Sequence, residues 1–166
     1  SCGYMEMVED TPCAFVCEIC SKQQTNAIDD SEANTFRVSS DKEFINAVKQ
    51  INNGIDDATY VIEMTDDITI TNDSHTGNNA SLEFIKGMTT IYGNGHTLKS
   101  RFNSYSLIFA NDSAVVNLGS AGEVEKSKLI IEAGVRLPDL LGIGDCATVN
   151  VYEGVVFQNN NAMGRP

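Results

Sequence analysis

The chain has 166 residues, of which 42% are hydrophobic, and its 23 acidic residues outnumber 11 Lys and Arg residues to give a net charge of −12. This length suits one domain with a substantial core. The acidity disfavours nucleic acid and anionic membranes as partners, because both reward Lys and Arg, but it allows calcium, which prefers clustered oxygens. No apolar run reaches 18 residues and no signal-peptide pattern opens the sequence, so no membrane insertion is expected.

Four of the five cysteines lie within the first 20 residues, at Cys2, Cys13, Cys17 and Cys20. Four thiolates this close can hold a tetrahedral zinc ion, and Cys17 and Cys20 have the spacing of a zinc knuckle. Alternatively, two disulfides staple a short secreted segment, and the sequence does not choose among the three pairings. Residues 1–20 are therefore predicted to form a Cys-rich segment, and the polar, acidic residues 21–34 a linker.

Residues 35–57 are predicted to form a strand and then a helix that caps the remainder of the chain. Ser40 and Glu43 have the spacing of a capping box, in which the Ser40 hydroxyl accepts from the Glu43 N–H and Glu43 reaches back to the Ser40 N–H. Residues 44–51 then place four apolar side chains on one helical stripe. The sequence Asn-Asn-Gly at 52–54 is typical of a helix end.

Residues 58–166 repeat a pattern of two short β-rich runs joined by Gly or Asn. A repeat of about 20–35 residues that cannot bury its own face alone is typical of a solenoid. Recurring Asn residues at its corners are expected to form side-chain amide ladders, in which each amide bonds the next. Nine apolar residues of this region are predicted to be buried: Ile91, Leu98, Ile108, Val116, Leu118, Ile130, Val149, Val151 and Val156.

Several residue types that carry chemistry have simpler structural interpretations here. Asp66 and Asp67 are expected to bond the backbone of a turn, because adjacent strand residues point to opposite faces and cannot share a ligand. His96 is expected to be a packed or corner histidine, and Cys146 a small buried hydrophobe. His75 lies in a polar loop at 71–81, where ligand contacts are a weaker alternative.

Three stretches resemble the rungs of pectate-lyase-like right-handed parallel β-helices: residues 64–69, 91–98 and 149–160. The closer likeness is to segments of large, adhesin-like surface proteins of gut Firmicutes of the Clostridia type, in which a similar helix precedes the first rung. The cysteine pattern of residues 2–20 is similar to a short motif of the same proteins. The resemblance implies an all-β solenoid, a right-handed parallel β-helix with an N-terminal capping helix, whose first rungs are residues 58–166, truncated at the C-terminus.

The resemblance also implies a secreted protein at the bacterial cell surface or cell wall. The leading hypothesis is a non-catalytic adhesion segment that presents loops to polysaccharide or host glycoprotein. The alternatives are the start of a polysaccharide lyase or glycoside hydrolase, and a structural stalk. Lyase chemistry would need a base beside acidic calcium ligands, and Lys99, Arg101 and Arg136 are the candidate bases. An uncovered last rung also predicts self-association. Apart from zinc at the cysteines or calcium, no cofactor is expected.

Overall fold

The computed structural model describes residues 34–71, 80–100, 106–132 and 139–158. These residues belong to one compact unit that begins at Asn34. The predicted boundaries at residues 20, 34 and 57 stay predictions, and the Cys-rich segment lies outside the described residues. In chain order the described elements are β1 (Thr35–Val38), α1 (Asp41–Asn52), β2 (Thr59–Met64), β3 (Ile68–Ile70), β4 (Ala80–Phe84), β5 (Met88–Tyr92), β6 (Thr97–Ser100), β7 (Ser106–Ala110), β8 (Val115–Leu118), α2 (Val124–Ser127), β9 (Leu129–Glu132), β10 (Asp139–Ile143), β11 (Thr148–Val151) and β12 (Val155–Gln158).

The described strands form three sheets in which every pair is parallel. The sheets have the orders β1-β2-β5-β8-β11, β3-β6-β9-β12 and β4-β7-β10. From β2 onward the chain therefore visits the three sheets in rotation. Thr59, Met88, Val115 and Thr148 are in register, so successive repeats span 29, 27 and 33 residues, within the predicted range. The protein is all-β with parallel sheets, as the sequence predicted.

One apolar core receives side chains from all three sheets and from α1. In β2, for example, Tyr60, Ile62 and Met64 are buried while the residues between them are not. This alternation follows from the strand geometry, which points successive side chains to opposite faces. Each fully buried Ile or Leu contributes about 1.5–3 kcal/mol, so the inward columns are the main stabilising feature of the repeats.

Five of the nine residues predicted to be buried are fully inside the core, namely Ile91, Leu98, Ile108, Val116 and Leu118. The prediction for Ile130 is wrong, because Leu129 and Ile131 take the inward positions of β9 and leave Ile130 half-buried. Val156 pairs with Ile130 in register and is likewise on the outward side, 49% exposed.

Val149 and Val151 have the predicted inward direction but are not fully buried. They pair in register with the buried Val116 and Leu118. Val151 is nevertheless 49% exposed and Val149 is half-buried, because no described strand pairs with the outer edge of β11. Phe157 of β12, 37% exposed, has the same position in its own sheet. The self-association expected at this edge stays a prediction.

Helix α1 begins as predicted, with one difference at its cap. The Ser40 hydroxyl accepts from the Glu43 N–H at 3.4 Å. The Glu43 carboxylate, however, accepts chiefly from the backbone N–H and hydroxyl of Ser39, at 2.7 and 2.8 Å, and the Ser40 backbone contributes less. These hydrogen bonds, the Ser39 backbone bond first, lower the pKa of the Glu43 carboxyl, because they favour its charged form.

The end of α1 falls where it was predicted, but without a left-handed glycine. Asn53, the C-cap, has a right-handed φ of −93°. Gly54 is required for space instead, because a Cβ there would lie 2.1 Å from the Tyr60 hydroxyl oxygen. That hydroxyl accepts from the Ile55 N–H at 3.1 Å, so the close approach satisfies the chain as it leaves the helix.

Strand β1 and helix α1 contact all three sheets at the first repeat. Strand β1 pairs with β2 in the five-stranded sheet. The Asn52 amide donates to the Glu83 carbonyl at 2.8 Å and accepts from the Ile85 N–H at 3.2 Å, so it bonds the edge of β4 as a neighbouring strand would. Next to β3, the Thr71 hydroxyl donates to the Asp41 carboxylate at 3.0 Å.

Candidate functional site

The residues proposed for metal binding or catalysis are not brought together in the described part of the chain. Cys2, Cys13, Cys17, Cys20, His75, Arg101 and Arg136 all lie outside it, so zinc, disulfides and these candidate bases stay predictions. Lys99 is described, and its ammonium is ion-paired with Glu132 on the adjacent strand β9. Among the described residues, no three His, Cys, Asp or Glu side chains converge as a metal site would require.

Asp66 bonds the backbone of its own corner between β2 and β3, as the sequence predicted, whereas Asp67 bonds the backbone of the corner one repeat later. Asp66 accepts from the Asp67 N–H at 2.8 Å, and Asp67 accepts from the Thr97 N–H at 2.7 Å. The second bond joins this corner to the start of β6, one repeat later. Asp67 also lies 3.5 Å from Nδ1 of His96, which is partly exposed at the neighbouring corner. Asp67 therefore links the corner of its own repeat to the next corner, through Thr97 and His96.

The prediction for Cys146 is wrong, because this thiol is free and exposed. It lies in the corner between β10 and β11 with a φ of +60°. A left-handed residue at a tight corner projects away from the strands, so it does not enter the core that its short apolar side chain would suit.

A polar ladder runs across the five-stranded sheet. Thr90, Asn117 and Asn150 are in register on β5, β8 and β11. Asn150 donates to Asn117 Oδ1 at 2.8 Å, and Asn117 donates to the Thr90 hydroxyl at 3.4 Å. The predicted amide ladder is therefore present at two Asn residues, but it lies within strands β8 and β11 and not at the corners where it was expected. Asn94 and Asn111 bond elsewhere, to the Met64 carbonyl and to Glu83.

The ladder lies on the outward side of the sheet, since Thr89, Ile91, Val116 and Leu118 take the inward positions. We call this surface the ladder face and define it by the outward residues of β5, β8 and β11. None of these is charged, although the chain carries a net charge of −12. The members are Met88, Thr90, Tyr92, Val115, Asn117, Thr148 and Asn150.

One end of the ladder face is bounded by the connection 119–128, which contains α2. Lys126 places its ammonium 5.8 Å from the centre of the Tyr92 ring, and the Tyr92 hydroxyl hydrogen-bonds the Ser120 hydroxyl at 2.9 Å. Such a cation–π contact is worth about 0.5–1 kcal/mol at an exposed site. The connection folds back on the preceding corner, where the Gly95 N–H donates to the Lys128 carbonyl at 2.7 Å.

This connection depends on Gly119. Its φ is +79°, and a Cβ there would lie 2.5 Å from Cβ of Ser127. The Ser127 hydroxyl in turn accepts from the Ser120 N–H at 2.9 Å. The packing of α2 against the sheet was not foreseen in the sequence. The signal that could have revealed it is the i, i+3 pairing of Glu123 with Lys126 and of Glu125 with Lys128.

Most cations of the described residues are neutralised by a carboxylate. Of the seven Lys and Arg residues there, five have a carboxylate oxygen within 4.0 Å, and Lys42 and Lys49 of α1 are the others. The paired cations are Arg37, Lys86, Lys99, Lys126 and Lys128. Among the described residues, no uncompensated positive cluster therefore lies beside the ladder, whose polar groups are hydroxyls and amides.

The three parallel sheets and the in-register repeats define an all-β protein of pectate-lyase-like fold. Residues 35–126 match the model of the family described as "Putative pectate lyase-like adhesive domain". That match covers more than half of the chain, and the chain belongs to this family. No curated protein and no solved structure matches it in the same comparisons. Among the described residues, no helix has the length and apolarity to cross a membrane.

Proposed function

We propose that this chain is a non-catalytic adhesion segment that acts at the bacterial cell surface or cell wall and binds glycans or host glycoproteins. The observation that carries the proposal is the match of residues 35–126 to an adhesive-domain family. An adhesive domain works outside the cell, where its targets are. The proposal includes a right-handed parallel β-helix, formed by the repeats from β2 onward, with α1 as its N-terminal cap.

The geometry of the ladder face supports this proposal. Stacked parallel strands hold Thr90, Asn117 and Asn150 in fixed register. Asn117 is buried between the other two, so a ligand meets the prearranged side chains of Thr90 and Asn150. A rigid row costs less conformational entropy on binding than side chains on loops. The ladder face itself is uncharged. Lys99 lies in a different sheet and is ion-paired with Glu132, whereas a lyase needs an available base beside acidic ligands.

The test is incubation of the intact chain with immobilised plant polysaccharides, mucin and host surface proteins, with and without calcium. Retention and chain cleavage are read on the same samples. Retention without cleavage is the expected result. Cleavage, with ultraviolet absorbance from unsaturated ends for a lyase or new reducing ends for a hydrolase, would replace adhesion by the enzymatic alternative. Neither retention nor cleavage would leave the stalk as the better account.

A further inference from the structure

From the charges and hydrogen-bonding groups of the ladder face, we infer that its ligand is an uncharged polysaccharide. This inference rests on the proposed adhesion function and narrows its ligand class. It differs from what a likeness to pectate lyases would suggest, because pectate is a polymer of uronic acids and carries a negative charge on each sugar.

The negative charge of the chain disfavours a polyanion as the ligand. The chain has a net charge of −12, so an acidic polymer is repelled before contact at low ionic strength. Binding a polyanion requires cations that are free to pair with it. Lys126 contacts the ladder face through the Tyr92 ring, and its ammonium lies 3.7 Å from the Glu123 carboxylate. A uronate polymer would have to displace that carboxylate against the overall repulsion.

Unused hydrogen-bonding groups then point to a ligand rich in hydroxyls. Asn150 donates one N–H to Asn117. No other side chain of the described residues bonds its second N–H or its oxygen, and these groups can bond a ligand, since an amide has two donors and two acceptor sites. Thr148 lies two residues before Asn150, on the same side of β11, and is exposed. Tyr152 lies two residues after Asn150, just beyond the end of β11. Each of these three groups can both donate and accept, as sugar hydroxyls do.

The scarcity of exposed apolar side chains on the ladder face argues for a polysaccharide rather than a protein as the ligand. Stable protein interfaces centre on buried apolar and aromatic anchors. Among the described residues of the ladder face, Met88 is the only large apolar side chain that is exposed, at 44%. Hydroxyl and amide groups beside two partly exposed rings, Tyr92 and Tyr152, suit a sugar polymer, whose faces are weakly apolar and whose edges are hydroxyls.

The experiment is affinity electrophoresis of the full chain through gels that contain galactomannan, xyloglucan or polygalacturonate, at low and high salt, beside retention on immobilised mucin and host proteins. Two variants remove ligand groups: Thr148→Val replaces a hydroxyl by a methyl, and Asn150→Ala removes the amide that β11 contributes to the ladder. Gln158→Ala is the matched control, because Gln158 is an exposed amide on the last strand of a different sheet. Circular dichroism on each variant confirms its folding.

Retardation by a neutral polymer, and none by polygalacturonate at low salt, is the expected result. Each ladder-face variant should weaken retardation about fivefold, the effect of one lost hydrogen bond of about 1 kcal/mol, and Gln158→Ala should not change it. Retardation by polygalacturonate alone, or neutral binding that both variants leave intact, would overturn the inference. Retention on mucin or host protein without neutral binding would also overturn it and leave adhesion standing, whereas no retention anywhere would refute both. Cleavage of a retained neutral polymer would support the ligand class and refute the non-catalytic role.

Discussion

The side chain of Asn52 is predicted to be a main stabilising contact between α1 and the sheets. Asn52→Ala removes two hydrogen bonds, to the Glu83 carbonyl and from the Ile85 N–H. Each is worth about 0.5–1.5 kcal/mol, and the partly buried backbone groups left behind add to the cost. Alanine recovers about 0.5 kcal/mol of helix propensity. We expect a net loss of about 2 kcal/mol.

The assay is thermal and urea unfolding followed by circular dichroism. For a unit of this size the loss corresponds to a fall of about 6 °C in the midpoint temperature. Asn53→Ala is the matched control, because Asn53 is the exposed next residue and its side chain holds neither strand; it should change stability by less than about 0.5 kcal/mol.

A third variant separates the two hydrogen bonds. Asn52→Asp keeps an acceptor for the Ile85 N–H but sets a carboxylate oxygen against the Glu83 carbonyl, 2.8 Å from the present amide nitrogen. It should be at least as destabilising as Asn52→Ala. If Asn52→Ala and Asn53→Ala unfold at the same temperature, the amide does not hold the edge of β4, and the account of how α1 covers the first repeat is refuted.

Three further perturbations test separate features. Thr89→Val should stabilise the chain by about 1 kcal/mol, because the buried Thr89 hydroxyl has no hydrogen-bond partner among the described residues. Gly119→Ala should cost about 2–3 kcal/mol, since its φ of +79° and the contact with Ser127 both oppose a Cβ. The lowered pKa of Glu43 gives stability that is present above the ordinary carboxyl value and lost as pH falls below about 4. Ser39→Ala should reduce that acid-dependent loss.

Each of these three has a distinct contrary outcome in the same unfolding assay. If Thr89→Val is less stable than the parent chain, the Thr89 hydroxyl has a hydrogen-bond partner and its burial does not lower the free energy of unfolding. A Gly119→Ala variant as stable as the parent chain would show that the 119–128 connection can move away from the sheet. An unchanged slope of stability against pH between about 5 and 3 in Ser39→Ala would show that the Ser39 hydroxyl does not lower the pKa of Glu43 and that the Ser39 backbone N–H, which alanine keeps, is sufficient.

The local sequence predicted those features that depend on neighbouring residues. The start of α1 follows from Ser40 and the apolar stripe after it, and the turn bonds of Asp66 follow from the preference of short acidic side chains for nearby backbone N–H groups. The inward direction of Ile91 and Leu98 follows from alternation within β5 and β6. Each of these requires only a few consecutive residues.

The ladder shows where this local information ends. Recurring Asn residues predict stacked amides, but only the register of 33 residues brings Asn150 onto Asn117, and a spacing of 27 residues brings Asn117 onto Thr90. Asn111 has the same chemistry and bonds Glu83 instead. The lengths of the intervening connections decide which residues meet, and the composition of the repeat does not encode those lengths.

The sequence by itself therefore determined the position of α1, which follows from a pattern within one element, and the repeat and the class of protein, which follow from short motifs that recur along the chain. Tertiary structure alone decided the parity of β9, since Leu-Ile-Ile lacks alternation and only pairing of Ile131 with the buried Leu98 sets its faces. It also decided the function of Asn52, whose two partners lie 31 and 33 residues away along the chain. Contacts between repeats depend on register, and register is a property of the whole stack.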